Sequence, residues 1–203
     1  MVVIVPVKSF RTGKQRLSAV LSPDRHDALV RALADHVAST IAASGLVPLI
    51  VTADAEVAIW ATGSGFPSLP DAGTGLDAAA AAGVEWAGRA DSPWLVIHAD
   101  LPFLTVADLA ALDAELTSGG WPIAPSSDGG TSAIGGRGAF AFQFGAGSFH
   151  RHISRLPTPR VVFRRGLAFD VDTVTDLETL GRVGGDRWVG WGPGEPSQPI
   201  LAT

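Results

Sequence analysis

The sequence predicts an α/β domain built on a largely parallel sheet, and three observations carry that reading. Short apolar runs (Val2 to Val7, Val47 to Thr52, Trp94 to Ile97) are each followed by a helical pattern, the order expected of strands joined by crossover helices. With 203 residues, 46% of them hydrophobic, the chain has enough apolar surface for one substantial core. No internal repeat or linker divides it, so residues 1–182 read as one domain. Residues 183–203 are rich in Gly and Pro and read as an irregular tail, with Trp188 and Trp191 pinning part of it to the domain.

Each element has its own signals. The first strand runs into "VPVKSFRTGKQRLS", which holds Lys8, Arg11, Lys14 and Arg16 within nine residues. The helix after it is announced by Ser22 as cap, Pro23 at its first position and Gly45 at its end. Leu29, Leu33, Val37 and Ile41 recur every four residues and form its core-facing stripe. "WLVIHADLPFL" drives an apolar strand to Asp100, and Thr105 then caps a helix with Asp108 in its first turn. "SDGGTSAIGG" reads as a donor-rich loop at a strand end, offering Gly129, Gly130, Thr131 and Ser132. Finally, "FDVDTVTDL" sets Asp170 and Asp172 two apart before a helix capped by Thr173 with Asp176.

Composition excludes several classes. A net charge of -5 argues against non-specific nucleic-acid binding. No apolar run approaches the ~20 residues that span a bilayer, and Val2 to Val7 is too short for a signal peptide. With no cysteine there is no disulfide, thiolate metal site or thiol nucleophile. These features point to a cytoplasmic protein that binds no membrane.

In open α/β sheets ligands bind beyond the carboxyl ends of strands. The basic loop, Asp100, the Gly129–Ser132 stretch and the Asp170–Asp172 pair are all expected at such ends. Alternate residues of an extended segment point the same way, so Asp170 and Asp172 can face one site. Joined by Asp100, they form a set of oxygen ligands suited to magnesium. The local cationic cluster suits an anion such as phosphate, though a solvated basic loop explains the charges equally well; helix capping or a turn likewise accounts for Asp100 and Asp172 taken singly. Together, cations for phosphate and acids for magnesium are the equipment of a nucleotide-handling enzyme.

Five segments in order, "VPVK" with "KQRLSAVLS", "ADLPFL", "GGTSA", "FGAGSFHRH" and "FDVDTVTDL", give a closer likeness over residues 2 to about 182. On these the chain resembles the 2-phospho-lactate guanylyltransferase family of coenzyme F(420) biosynthesis, which includes the phosphoenolpyruvate guanylyltransferases. The resemblance implies a single-domain GT-A-like, Rossmann-like nucleotidyltransferase fold with a mainly parallel mixed sheet. It implies a magnesium (Mg2+) dependent reaction in which a small phosphorylated carboxylic acid attacks the α-phosphate of GTP and pyrophosphate leaves, and a homodimer as the assembly. Carried over, Lys8, Lys14 and Arg16 look like triphosphate contacts, with Lys14, Arg16 and Asp100 in the catalytic machinery. Asp100, Asp170 and Asp172 look like the metal ligands, and Thr131, Ser132, Gly145 and Ser148 like the acceptor site.

Local chemistry agrees at one of these points. Ser148 in "GAGSFHRHISRL" can cap a helix whose free N–H groups suit an oxyanion, and Arg151 would add a fork of donors; an ordinary Ser cap is the plainer alternative. His150 and His152 read as surface or supporting residues rather than metal ligands. The chain departs from the family at Asp77, where relatives tend to have Asn. That carboxylate can accept from the N1 and N2 donors of guanine, which makes it a nucleotide-binding candidate, or it can simply favour the start of a helix. Two other readings remain. A different GT-A-type nucleotidyltransferase, acting on a molybdenum cofactor or a sugar phosphate, usually carries Gly-x-Gly soon after strand one, where this chain has only Gly13. A non-catalytic nucleotide-binding module would have little use for all three acids.

Overall fold

β-Branched and leucine-rich runs form the strands, and their alternation builds two core layers. A computed structural model describes residues 1–191. The order is β1 (Val2–Pro6), a 3-10 turn (Gln15–Ala19), α1 (Pro23–Ala43), β2 (Pro48–Thr52), α2 (Ala55–Gly63), β3 (Ser68–Pro70), α3 (Leu76–Gly88) and β4 (Trp94–Ile97). It continues with α4 (Val106–Thr117), β5 (Trp121–Pro125), β6 (Thr131–Gly136), α5 (Ser148–Ile153), β7 (Pro159–Val161), α6 (Arg165–Ala168) and α7 (Val174–Val183). Seven strands make one sheet in the order β3-β2-β1-β4-β6-β5-β7. The expected α/β class with a mainly parallel mixed sheet is what forms. β1, β2, β3 and β4 pair in parallel, while β6 runs antiparallel to both β4 and β5.

Because strand residues alternate between faces, Val3, Val5, Leu95 and Ile97 pack under α1, α2 and α4. Ile4, Val51, Trp94 and Val96 pack on the opposite face with α3 and the Phe142 region. A third cluster matters most for function. Leu17 from the 3-10 turn, Leu29 and Leu33 from α1, and Leu177 and Leu180 from α7 close around Val171. Burying a Val side chain stabilises by roughly 1.5–3 kcal/mol, so Val171 anchors the extended Asp170–Asp172 segment beside the basic loop.

The expected caps form. Ser22 accepts from the Arg25 amide, and Thr105 and Thr173 each make a reciprocal capping box, with Asp108 and Asp176. Trp188 lies deep in the third cluster, its indole N–H donating to the Pro102 carbonyl at 3.2 Å. The remainder of the expected tail, residues 192–203, lies outside the described residues. No helix among the described residues is long and apolar enough to cross a membrane.

Candidate active site

The strand order reverses direction at β1, with β2 on one side and β4 on the other. Parallel strands flanking such a switch point leave a crevice at their carboxyl ends. A cleft of about 390 Å³ opens there, lined by the β1 loop (Lys8, Ser9, Lys14), the turn before α3 (Asp71, Gly73, Gly75), and His98, Asp100 and Asp172. That volume falls in the usual range for small-molecule sites.

Three of the four cations in the basic loop reach the cleft or its rim. Lys8 is exposed on the cleft wall. Lys14 is held inward, only 14% of its side chain exposed, and its ammonium bonds to Asp100 and sits 3.4 Å from Asp172. Arg16 remains 74% exposed and reaches Asp172 at 3.0 Å. Arg11 turns outward to Glu56. Lys14 adopts a left-handed backbone (φ 51°), a conformation that costs a non-glycine residue roughly 1–2 kcal/mol. The buried His26 braces it by donating from Nε2 to the Lys14 carbonyl. Lys14 is thus built into the cleft, while Lys8, Arg11 and Arg16 keep the exposure of a solvated basic loop.

The acids occupy three distinct electrostatic states. For Lys14, burial alone would lower the pKa, but the charge and hydrogen bond of Asp100 outweigh it and raise it above the ordinary lysine value. Asp100 mirrors this: burial opposes its ionisation, yet Lys14 draws its pKa below the usual carboxylate value. Asp100 Oδ1 is nonetheless buried with no hydrogen-bond partner. Asp170 is pushed up to about 7, by burial first and by the Asp100 charge second. Such a carboxyl favours a cation beside it. Asp172 faces Lys14 and Arg16 instead. No three His, Cys, Asp or Glu side chains among the described residues converge as a ready metal cage. Asp100 and Asp170 are the acids whose surroundings most favour a divalent ion.

On the other side of Asp100 lies the expected acceptor region, and here the structure corrects several readings. Thr131 and Ser132 begin β6 and do not sit in a loop at a strand's carboxyl end. They reach the same edge of the sheet because β6 is antiparallel. As neighbours in a strand they face opposite ways, so only one can serve the site. The Ser132 hydroxyl donates to the Ala124 carbonyl within the sheet. Ser148 is not a cap. The chain enters α5 through left-handed Gly147 (φ 68°), and Ser148, now the first helical residue, turns inward to donate to Thr131 Oγ1 at 3.2 Å. Gly145 has φ 103°, accessible to glycine alone at little cost, and its carbonyl accepts from the Ser148 amide. The Arg151 fork is spent on the carbonyls of Ala146 and Gln143, so it shapes the loop and does not reach for an oxyanion. Asp77 accepts from the Phe144 amide at 2.8 Å, tying α3 to the same loop, and does not line the cleft.

His152 organises this region, a role its sequence position does not reveal. The Gln143 amide donates to its Nε2 at 2.8 Å, which leaves the proton on Nδ1 to go to Thr131 Oγ1 at 3.0 Å. Thr131 Oγ1 then accepts from both His152 and Ser148, and its own O–H is left for a further partner. Burial, outweighing the opposing charge of Asp77, pushes His152 down to about 4. His36 is also pushed down to about 4, by burial and then Arg187. A folded-state pKa below the unfolded value of roughly 6.5 means the unfolded chain binds more protons below that pH. Stability should thus be full above pH 6.5 and fall toward pH 4, by up to about 3 kcal/mol for the wholly buried His152 and less for His36. Urea midpoints across that range check this; a His152→Gln variant with an unchanged slope would remove His152 from the account.

Sequence reading also missed the turn before α3 and His98. The first was signalled by "PDAGTGLD", with Gly73 and Gly75 both at positive φ; the second stood in plain view two residues before Asp100.

A crevice at the switch point of a mainly parallel sheet, with interleaved cations and acids, is the architecture of a nucleotidyltransferase. In fold the chain matches a putative nucleotide-diphospho-sugar transferase from Desulfovibrio desulfuricans G20, with a TM-score of 0.74 and 19% identity over 91% of this chain and 87% of that one. The chain belongs to the guanylyl transferase CofC-like family, whose profile matches residues 1–183. It is 38% identical to a phosphoenolpyruvate guanylyltransferase of Sphaerobacter thermophilus, covering 88% of this chain and 91% of the relative. It is 29% identical to a 2-phospho-L-lactate guanylyltransferase of Methanothermobacter thermautotrophicus, covering 86% and 81%. The protein is thus an enzyme of nucleotidyl transfer.

Proposed function

We propose that the protein transfers the GMP moiety of GTP to the phosphate of a small phosphorylated acid, phosphoenolpyruvate or 2-phospho-L-lactate, as its named relatives suggest, in coenzyme F(420) biosynthesis. An oxygen of the acceptor phosphate forms a bond to the α-phosphorus, the bond from that phosphorus to the β-bridging oxygen breaks, and pyrophosphate leaves. The observation that carries this reading is the link that His98 makes between two networks. It lines the cleft with Lys14, Asp100 and Asp172, and its ring meets Phe144, which in turn packs against His152 of the Thr131–Ser148–His152 network.

Magnesium is the metal we assign, with Asp100 and Asp170 as its protein ligands. The unpartnered Asp100 Oδ1 and the elevated Asp170 fit a hard cation that is usually held by one or two carboxylates, water and substrate phosphates. When bound, that ion would neutralise charge developing on the departing pyrophosphate. Lys14 and Arg16 lie within reach of both the acids and the cleft, so their charges can serve an incoming triphosphate. The acceptor brings its own nucleophile, since a phosphate monoester with a second pKa near ~6 is mostly dianionic at neutral pH. No protein base is required, and His152, neutral with both ring nitrogens engaged, is not placed to be one.

The test is an acceptor panel. Phosphoenolpyruvate, 2-phospho-L-lactate and 3-phosphoglycerate are each incubated with GTP and magnesium, pyrophosphate is followed, and products are weighed by mass spectrometry. One acid should stimulate pyrophosphate release and yield a guanosine diphospho-linked product. Release unaffected by any of the acids would overturn the reading, and equal use of ATP would overturn the guanine assignment.

A further inference from the structure

Among the described residues, three buried side-chain polar atoms lack a hydrogen-bond partner: His36 Nε2, His98 Nε2 and Asp100 Oδ1. Two of the three lie two positions apart at the end of β4, and both residues line the same cleft. A buried polar atom without a partner is costly, and orphans gathered in one cleft point to a ligand. For Asp100 Oδ1 the metal proposed above would account for it. His98 is not accounted for.

Its surroundings indicate which substrate it serves. The His98 amide donates to the Ser132 carbonyl at 3.0 Å, which fixes the residue to the start of β6. Its ring stands 5.0 Å, centroid to centroid, from Phe144, the loop residue that Asp77 holds. Both neighbours belong to the acceptor side, whereas the basic loop and the turn before α3 form the opposite wall. An imidazole is a poor ligand for magnesium, which takes oxygen donors, so a metal at Asp100 does not account for His98 Nε2. His98 and Asp100 both follow β4, which ends at Ile97, and both line the cleft, so an acid whose phosphate lies by Asp100 would bring its oxygens toward the imidazole.

We infer that His98 is a specificity-determining residue, donating from Nε2 to an anionic oxygen of the acceptor acid. This rests on the acceptor class proposed above. Carboxylate and phosphate oxygens only accept, so the assignment fixes the Nε2–H tautomer. A bond to a charged partner would strengthen acceptor binding and leave GTP binding almost unaffected.

The experiment pairs His98→Phe, which keeps a ring and removes the nitrogens, with His98→Gln, which keeps a donor. Both variants and the wild type are assayed with GTP and the best acid of the panel, after circular dichroism melts establish folding. The acceptor KM should rise roughly 10- to 100-fold in His98→Phe, the scale of a lost hydrogen bond to a charged group. The GTP KM should stay within about threefold, and His98→Gln should recover part of the loss. An unchanged acceptor KM in His98→Phe, or GTP and acceptor KM rising together, would overturn the inference while leaving the activity established. If His98→Phe fails to fold, the Gln variant decides against an Ala variant: equal acceptor KM values in those two would also overturn it. A wild type that neither turns over nor, by calorimetry with magnesium, binds any of the acids would overturn both readings.

Discussion

Asp100→Asn should lower turnover about 1,000-fold or more while the protein still folds, the scale expected for losing charge stabilisation worth several kcal/mol at a metal-assisted site. Two features predict that the damage stays local. β4 is buried from Trp94 to Ile97 and paired on both sides, so the mount survives the change. Asp100 also holds Val171 through its backbone carbonyl, a contact that an Asn retains. What Asn loses is the negative charge and one of the two oxygens: with its remaining oxygen kept for Lys14, an NH2 donor would stand where the orphaned oxygen suits a cation. Asp170→Asn should be less damaging, since Asp170 gives up one ligand but relieves repulsion with Asp100. Steady-state kinetics at saturating magnesium, alongside thermal melts, separate the cases. A near wild-type rate in Asp100→Asn would remove the metal from this position.

Much of this arrangement was legible in the sequence because it is local. Pro23, Thr105 and Thr173 mark helix starts through contacts within four residues, and the apolar run before Asp100 can only be a buried strand end. The direction of β6 was not legible. "TSAIGG" is short, contains two glycines and follows a turn, and its antiparallel pairing with β4 depends on residues some forty positions away. The register of that pairing decides which of Thr131 and Ser132 faces the site. Partner choice was illegible for the same reason: Lys14 meets Asp172 across 158 positions, and no spacing rule reports such a pair. Ser148 and Arg151 were misread because helix capping was assumed where left-handed Gly147 alters the entry angle. The orphaned His98 Nε2 has no sequence signal beyond its nearness to Asp100.

Lys14→Met should be the most harmful change in the basic loop, cutting kcat/KM for GTP by roughly 100-fold, as expected for a charge-assisted contact to phosphate. Exposure ranks the loop. Lys14 is 14% exposed and Arg16 74%, so solvent and salt screen Arg16 far more strongly. Arg16→Ala should therefore cost several-fold at most, and its effect should shrink further in added salt, while that of Lys14→Met should not. Methionine preserves the length of the side chain but leaves Asp100 without its counter-charge. The variant should then need more magnesium to reach half-maximal rate if the ammonium chiefly helps hold the site together, and less if it chiefly competes with the ion for Asp100. The backbone offers a control. Lys14→Gly relieves the left-handed φ of 51° but also removes the ammonium; a melt as high as wild type with GTP use as poor as in Lys14→Met would show that the strain is tolerated for the sake of the charge. Calorimetric GTP affinity equal to wild type in Lys14→Met, or Arg16→Ala proving the more damaging variant, would return the loop to a surface role and leave the triphosphate without its assigned partners.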